Sequence, residues 1–167
     1  GKDVYYGYGC PYMADYFHDH AEKKKQPLGR CKLNSIKNTQ EGLSISWTAV
    51  DGAEGYKIYR KSTGESYSCV YTVGGSANSF VDKNVMSGEK YRYMVRPVGD
   101  SEIGAAENAV ELLRLTQPKP VAANGYKGMV VSWNKISGAT MYNVYRKKSG
   151  STAWTMIRTV TGSADSI

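Results

Sequence analysis

The chain repeats itself. Residues 43–64, LSISWTAVDGAEGYKIYRKSTG, recur at 129–150 as MVVSWNKISGATMYNVYRKKSG, an offset of 86 residues. Trp47 falls on Trp133, Gly52 on Gly138, Ala53 on Ala139, Tyr56 on Tyr142, and Tyr59-Arg60-Lys61 on Tyr145-Arg146-Lys147. After one inserted residue the match resumes, with Gly75, Ser76, Ala77 and Ser79 opposite Gly162, Ser163, Ala164 and Ser166. Such a period confines the fold to a string of like units. The 167 residues hold one full unit and the first part of another.

Inside each unit apolar residues alternate with polar ones, the period of a strand with one buried face. Leu43, Ile45 and Trp47 share one side, Ser44 and Ser46 the other. After the turn Asp51-Gly52-Ala53-Glu54-Gly55, Tyr56 and Ile58 point one way while Lys57, Tyr59 and Lys61 point the other. Runs at 69–73 and 80–81 follow, separated by Gly74-Gly75-Ser76; then Tyr91, Tyr93 and Val95 alternate with Arg92, Met94 and Arg96. With an opening strand at 32–36 and a closing one at 109–115, the unit has about seven short strands separated by regular turn signals. That spacing predicts a β-sandwich. The aromatic set fits, with 14 Tyr and 3 Trp against 2 Phe, because a phenol can reach water or a backbone group from a half-buried strand.

Trp47 on the second strand, the Tyr56-X-Ile58-Tyr59-Arg60 run on the third, and Val85-X-X-Gly88-X-X-Tyr91-X-Tyr93-X-Val95 leading into the sixth together resemble a fibronectin type III domain. The resemblance implies an all-β fold of immunoglobulin-like β-sandwich repeats, with Trp47 at the core centre, and a Tyr91 hydroxyl that ties down the preceding corner. It covers residues 31–116 fully and 117–167 in part. The expected organisation is an N-terminal arm and helix over 1–30, a complete domain over 31–116 and a partial second domain over 117–167. Pro118 and Pro120 predict a short, stiff link. The second copy ends at Ile167, opposite Phe80, before counterparts of Tyr91 to Leu115, and is expected to be a fragment of a longer array. The wording AxGYKIYRK with a Gly-Ser turn is similar to copies in modular secreted proteins of Gram-positive bacteria, which implies an extracellular or wall-attached location.

Residues 1–30 belong to neither copy. Lys2 to Gly9 reads as a Tyr-rich arm, and 11–25 as a helix that opens on Pro11, with Asp15 and Asp19 early and Lys23 to Lys25 late. Asp15, His18, Asp19 and Glu22 would share one helix face, but without a strong ligand pair they read as a solvated face rather than a metal site. Cys10 and Cys31, if bonded, would close a loop of about 20 residues worth roughly 3 kcal/mol. Cys69 reads as a small buried apolar group.

The net charge is +7, and it is unevenly spread. Residues 118–167 carry seven bases, Lys119, Lys127, Lys135, Arg146, Lys147, Lys148 and Arg158, against Asp165 alone. No run approaches the roughly 20 apolar residues that would cross a bilayer. There is no Gly-X-Ser-X-Gly, phosphate loop or dinucleotide fingerprint, and both histidines lie at 18 and 20. Asp51 and Glu54 read as turn formers, so neither an enzyme nor a cofactor is expected.

The surface of interest comes from alternation combined with the resemblance, which makes the third and sixth strands neighbours. Lys57, Tyr59 and Lys61 would then share an outer face with Arg92, Met94 and Arg96. A cation stacked on Tyr59 would add about 0.5–1 kcal/mol, and the array could hold a polyanion. The plainer reading is that long cations merely cover the face. Asn143, Tyr145 and Lys147 repeat part of it, while Trp154, aligned with Tyr67, is expected in the core. The leading expectation is a non-catalytic spacer or adhesion module, and the alternatives are a polysaccharide- or polyanion-binding module through Lys57, Tyr59, Lys61, Arg92 and Arg96, or an accessory region of a secreted enzyme. Expected partners are a cell-wall polymer, a glycan or a surface protein, with no nucleic acid and no membrane insertion.

Overall fold

A computed structural model describes residues 27–167. Within them every regular element is a strand: β1 (Leu33–Asn38), β2 (Leu43–Trp47), β3 (Gly55–Ser62), β4 (Ser68–Gly74), β5 (Ser79–Asp82), β6 (Lys90–Val98), β7 (Val110–Leu113), β8 (Val121–Gly125), β9 (Gly128–Ser132), β10 (Met141–Arg146) and β11 (Thr155–Thr161). The expected helix over 11–25, the Tyr-rich arm, the acidic cluster from Asp15 to Glu22 and Cys10 lie outside the described residues. Cys31 is a free thiol.

The first seven strands form two antiparallel sheets, ordered β1-β2-β5 and β4-β3-β6-β7. Their facing sides supply one core. Leu33, Leu43, Ile45 and Trp47 come from the first sheet, and Tyr56, Ile58, Tyr91, Tyr93 and Val95 from the second. Each such side chain contributes about 1.5–3 kcal/mol when fully buried, so the alternation read in the sequence is the driving force for closing the sandwich. Trp47 lies 5.4 Å from the Tyr56 ring, and the Tyr56 hydroxyl accepts the Val50 amide at 2.8 Å. The Tyr91 hydroxyl accepts the Met86 amide at 3.1 Å and fixes the corner before β6, as the resemblance implied.

Residues after β7 repeat this local geometry in a different environment. Trp133 lies 5.3 Å from Tyr142, whose hydroxyl accepts the Ile136 amide at 2.7 Å. The amide of Trp47 donates to Asn78 at 2.9 Å, and that of Trp133 to Asp165 at 2.8 Å. The bulge at Ile58/Tyr59 has its counterpart at Val144/Tyr145. Gly52 and Gly138 both hold positive φ, 75° and 82°, as the turn demands. The surroundings differ. Here β8 pairs with β9 and β10 with β11, giving separate two-stranded sheets over a small cluster of Trp133, Ile136 and Tyr142.

The two parts meet at a packed joint. Leu115 packs on the Trp133 cluster. Ser87 Oγ donates to the Ser137 carbonyl at 3.3 Å and accepts the Thr116 amide at 3.2 Å. Gly88 and Gly138 pass so closely that a Cβ on Gly138 would stand 2.9 Å from the Gly88 Cα.

Candidate functional site

β3 and β6 are neighbours, and their register sets Lys57 opposite Arg96, Tyr59 opposite Met94 and Lys61 opposite Arg92. The five residues singled out from the sequence therefore share the outer face of the four-stranded sheet. Two like-charge pairs flank a Tyr–Met pair, an arrangement that costs stability unless the cations are parked or neutralised. Most are parked. The Arg96 guanidinium lies 5.9 Å above Tyr59 and its Nε donates to the Gly104 carbonyl at 2.8 Å. The Lys61 ammonium sits 5.2 Å over Tyr67, and Arg92 faces Glu111 across the β6–β7 pair.

Two expectations need correction. Cys69 is exposed, not buried. Beyond Tyr71, which pairs with Ile58, the bulge skips a residue and brings Cys69 opposite Tyr59, which reverses its facing. Trp154 is likewise outside the core, 62% exposed. The second bulge sets Met156 opposite Tyr145, while Trp154 lies just ahead of β11, outside the strand ladder. Lys147 Nζ stands 5.1 Å above the Trp154 ring. The two copies thus carry the same set: Tyr59, Lys61 and Tyr67 in the first, and Tyr145, Lys147 and Trp154 in the second.

A buried polar network was not anticipated. Asp82 is fully buried and accepts from Arg60 Nη1 at 2.7 Å, from the Tyr93 hydroxyl at 2.7 Å and from the Asn84 amide at 3.0 Å. Burial works against the charge of Arg60, but the hydrogen bond and charge of Asp82 outweigh it and hold the guanidinium above its ordinary value. Burial first, then the bond to Asp82, push the Tyr93 phenol far up. Arg60 continues the inward phase of Tyr56 and Ile58, and an inward Arg requires an acidic or carbonyl partner; that was the available signal. Arg114 is buried too, and its Nη1 donates to the Thr39 and Gly42 carbonyls at 2.7 and 2.9 Å, clasping the β1–β2 turn. These networks brace the sandwich. They are not open to a substrate.

Among the described residues no group of three or more His, Cys, Asp or Glu side chains gathers to hold a metal ion, and no helix is long and apolar enough to cross a membrane. An open hollow lined by Lys119, Val121, Ser132, Trp133 and Asn134 lies beside the Trp133 cluster.

The strand order β1-β2-β5 against β4-β3-β6-β7, the Trp47–Tyr56 centre and the Tyr91 corner define the first seven strands as a fibronectin type III-like sandwich. No family model matches the chain. Among solved structures it is similar to a two-domain fibronectin type III segment of chicken tenascin, at 15% identity and TM-score 0.45, over 81% of this chain and 80% of that one. It is also similar to an Fn3-like protein from Clostridium thermocellum, at 23% identity and TM-score 0.40, over 51% and 85%. A third likeness is to pectate lyase PelI from Erwinia chrysanthemi in complex with tetragalacturonic acid, at 20% identity and TM-score 0.44, over 50% of this chain. The match spans 28% of that lyase and 13% of a β-1,2-glucanase from Parabacteroides distasonis, which it resembles at 22% identity and TM-score 0.49 over 53% of this chain.

Proposed function

We propose that the chain is a non-catalytic spacer and adhesion module of an extracellular bacterial protein, built from serial sandwich units divided near residue 116. The observation that carries this reading is the joint. Leu115 packs against the second cluster, Ser87 bonds Ser137, and Gly88 and Gly138 leave no room for a Cβ between them, which supports a link that transmits orientation rather than swivelling. A chain that holds a distant domain off a surface needs such a joint, because a flexible link would let the array collapse.

Small-angle scattering on the full chain tests the mechanical part. A single rigid shape that loosens on Gly88→Ala is expected, since a Cβ there would stand 2.3 Å from Ser137 Oγ; a wild-type profile that needs a broad range of inter-unit distances would refute it. Protease shaving of intact cells that releases fragments of the chain is the expected sign of a surface location, and full protection until lysis would refute that.

One observation favours a second activity on the same scaffold, the binding of polysaccharide or another polyanion through Lys57, Tyr59, Lys61, Arg92 and Arg96. The cross-strand like-charge pairs assemble four cations on one face, and a bound polyanion would relieve them. Retention of the chain on an immobilised polyanion, fading as salt rises, is the expected result. Salt-independent passage would leave the spacer reading alone.

A further inference from the structure

We propose that Lys147 and Trp154, in the segment that joins β10 to β11, form with Tyr145 of β10 a binding site for an acidic polysaccharide, one whose sugar rings carry carboxylates. The proposal rests on the polyanion reading above and moves its centre to the second copy. Three observations carry it.

The first is exposure. Trp154 is 62% exposed, although a domain gains by burying such a group. Its counterpart Tyr67, just ahead of β4, is only half-buried, so this position is open in both copies.

The second is the ring–cation pair. Lys61 over Tyr67 at 5.2 Å and Lys147 over Trp154 at 5.1 Å are counterparts, and the second copy uses the larger ring and the better cation partner. The rings precede β4 and β11, the strands that flank β3 and β10 on the edge opposite β6 or its equivalent. Tyr67 stays partly open beside a complete sandwich, so a strand laid along the other edge of β10 would leave Trp154 accessible.

The third is charge. The second copy has seven bases and one acid, and that acid, Asp165, lies 3.7 Å from Lys135. The long-range potential around the site is positive.

These features select the ligand. Flat aromatic rings offer a stacking surface to the apolar faces of sugar rings, Lys147 meets an acid group, and the polar neighbours Asn143 and Thr159, hydrogen-bonded to each other at 2.8 Å, suit hydroxyls. Single-stranded nucleic acid would call for a cationic groove tracking every phosphate.

The full chain is titrated with alginate oligosaccharides, read by iodide quenching of tryptophan emission and by affinity electrophoresis. Trp47 and Trp133 are buried, so quenching reports Trp154. Protection of Trp154 by alginate, a loss of affinity of about five-fold or more for Trp154→Ala and Lys147→Ala, and substantial retention for Trp154→Phe support the proposal. Unchanged alginate affinity in Trp154→Ala, with loss in Lys57→Ala and Arg92→Ala, would overturn this site and leave the polyanion reading standing. Absence of alginate, heparin and polyphosphate binding would overturn both. Tighter binding of an oligothymidylate than of alginate would overturn the choice of ligand, and equal binding of uncharged dextran would overturn the role of Lys147.

Discussion

The turn around Tyr56 and the turn around Tyr142 have the same hydrogen bonds, the same ring contact within 0.1 Å, 5.4 against 5.3 Å, and the same glycine conformation, yet they stand in different company. Behind Tyr56 lie Tyr91, Tyr93, Val95 and the Asp82 network; around Tyr142 the cluster is only Trp133, Ile136 and a rim of half-buried residues. Local geometry is therefore written into the repeated 22 residues, whereas burial is conferred by the strands that close the second sheet. Leu43 and Ile45 are fully buried, while Met129, at the position of Leu43, is 64% exposed. A template with the right turns is not yet a core.

The contrast can be broken most forcefully at the tryptophans. Trp47→Ala should cost the first sandwich about 3–5 kcal/mol, and Trp133→Ala considerably less, because fewer groups pack on its ring. Urea denaturation of each variant measures both, and equal losses would mean that the closing strands add little.

Arg60 and Arg146 occupy the same repeat position. Arg60→Ala strands the buried Asp82 carboxylate and should cost about 3–5 kcal/mol; Arg146 is exposed, and its replacement should change stability by less than about 0.5 kcal/mol. Thermal melts of the pair decide this. Similar shifts would remove the network from the account.

Tyr56→Phe and Tyr142→Phe each delete one hydroxyl that accepts a backbone amide, and each should cost about 1 kcal/mol of its own part. The near-equality is the point. It would show that the shared geometry is energetically shared.

A further effect is alkaline. Burial, then the charge of Glu107, push the Cys31 thiol up to about 11 from 9.0. The fold therefore keeps a proton that the unfolded chain releases, so this contribution is full below about pH 9 and is lost as pH rises to about 11. Tyr93, held far above its ordinary value, acts in the same direction at higher pH. Unfolding titrations should show a shallow decline above pH 9 that Cys31→Ala reduces; a slope of the opposite sign would contradict it. At pH 8, alkylation should label Cys69 well before Cys31.

Much of this was legible in the sequence because the governing signals are short-ranged. Alternation at Leu43–Trp47 and Tyr91–Val95 gave the inward faces, and the repeat gave the turns. Placing Lys57, Tyr59, Lys61, Arg92 and Arg96 together needed one non-local fact, the adjacency of β3 and β6, which the family resemblance supplied and the register bears out. Cys69 differs from expectation because a bulge skips one residue and turns over the side chains beyond it, and no residue type marks it; Trp154 differs because it lies ahead of β11, where strand alternation does not apply. The Asp82 network escaped because Arg60 and Asp82 lie 22 positions apart in chain order, and only the closed sandwich brings them to 2.7 Å.

Native-state hydrogen exchange compares the two copies amide by amide. If one template is closed by β6 and β7 and the other is not, the amides of Ile58, Tyr93 and Val95 should exchange only on global unfolding, and that of Val144 at least about a hundredfold faster. Equal protection of Ile58 and Val144 would contradict the claim that the closing strands, and not the repeated turns, make the core.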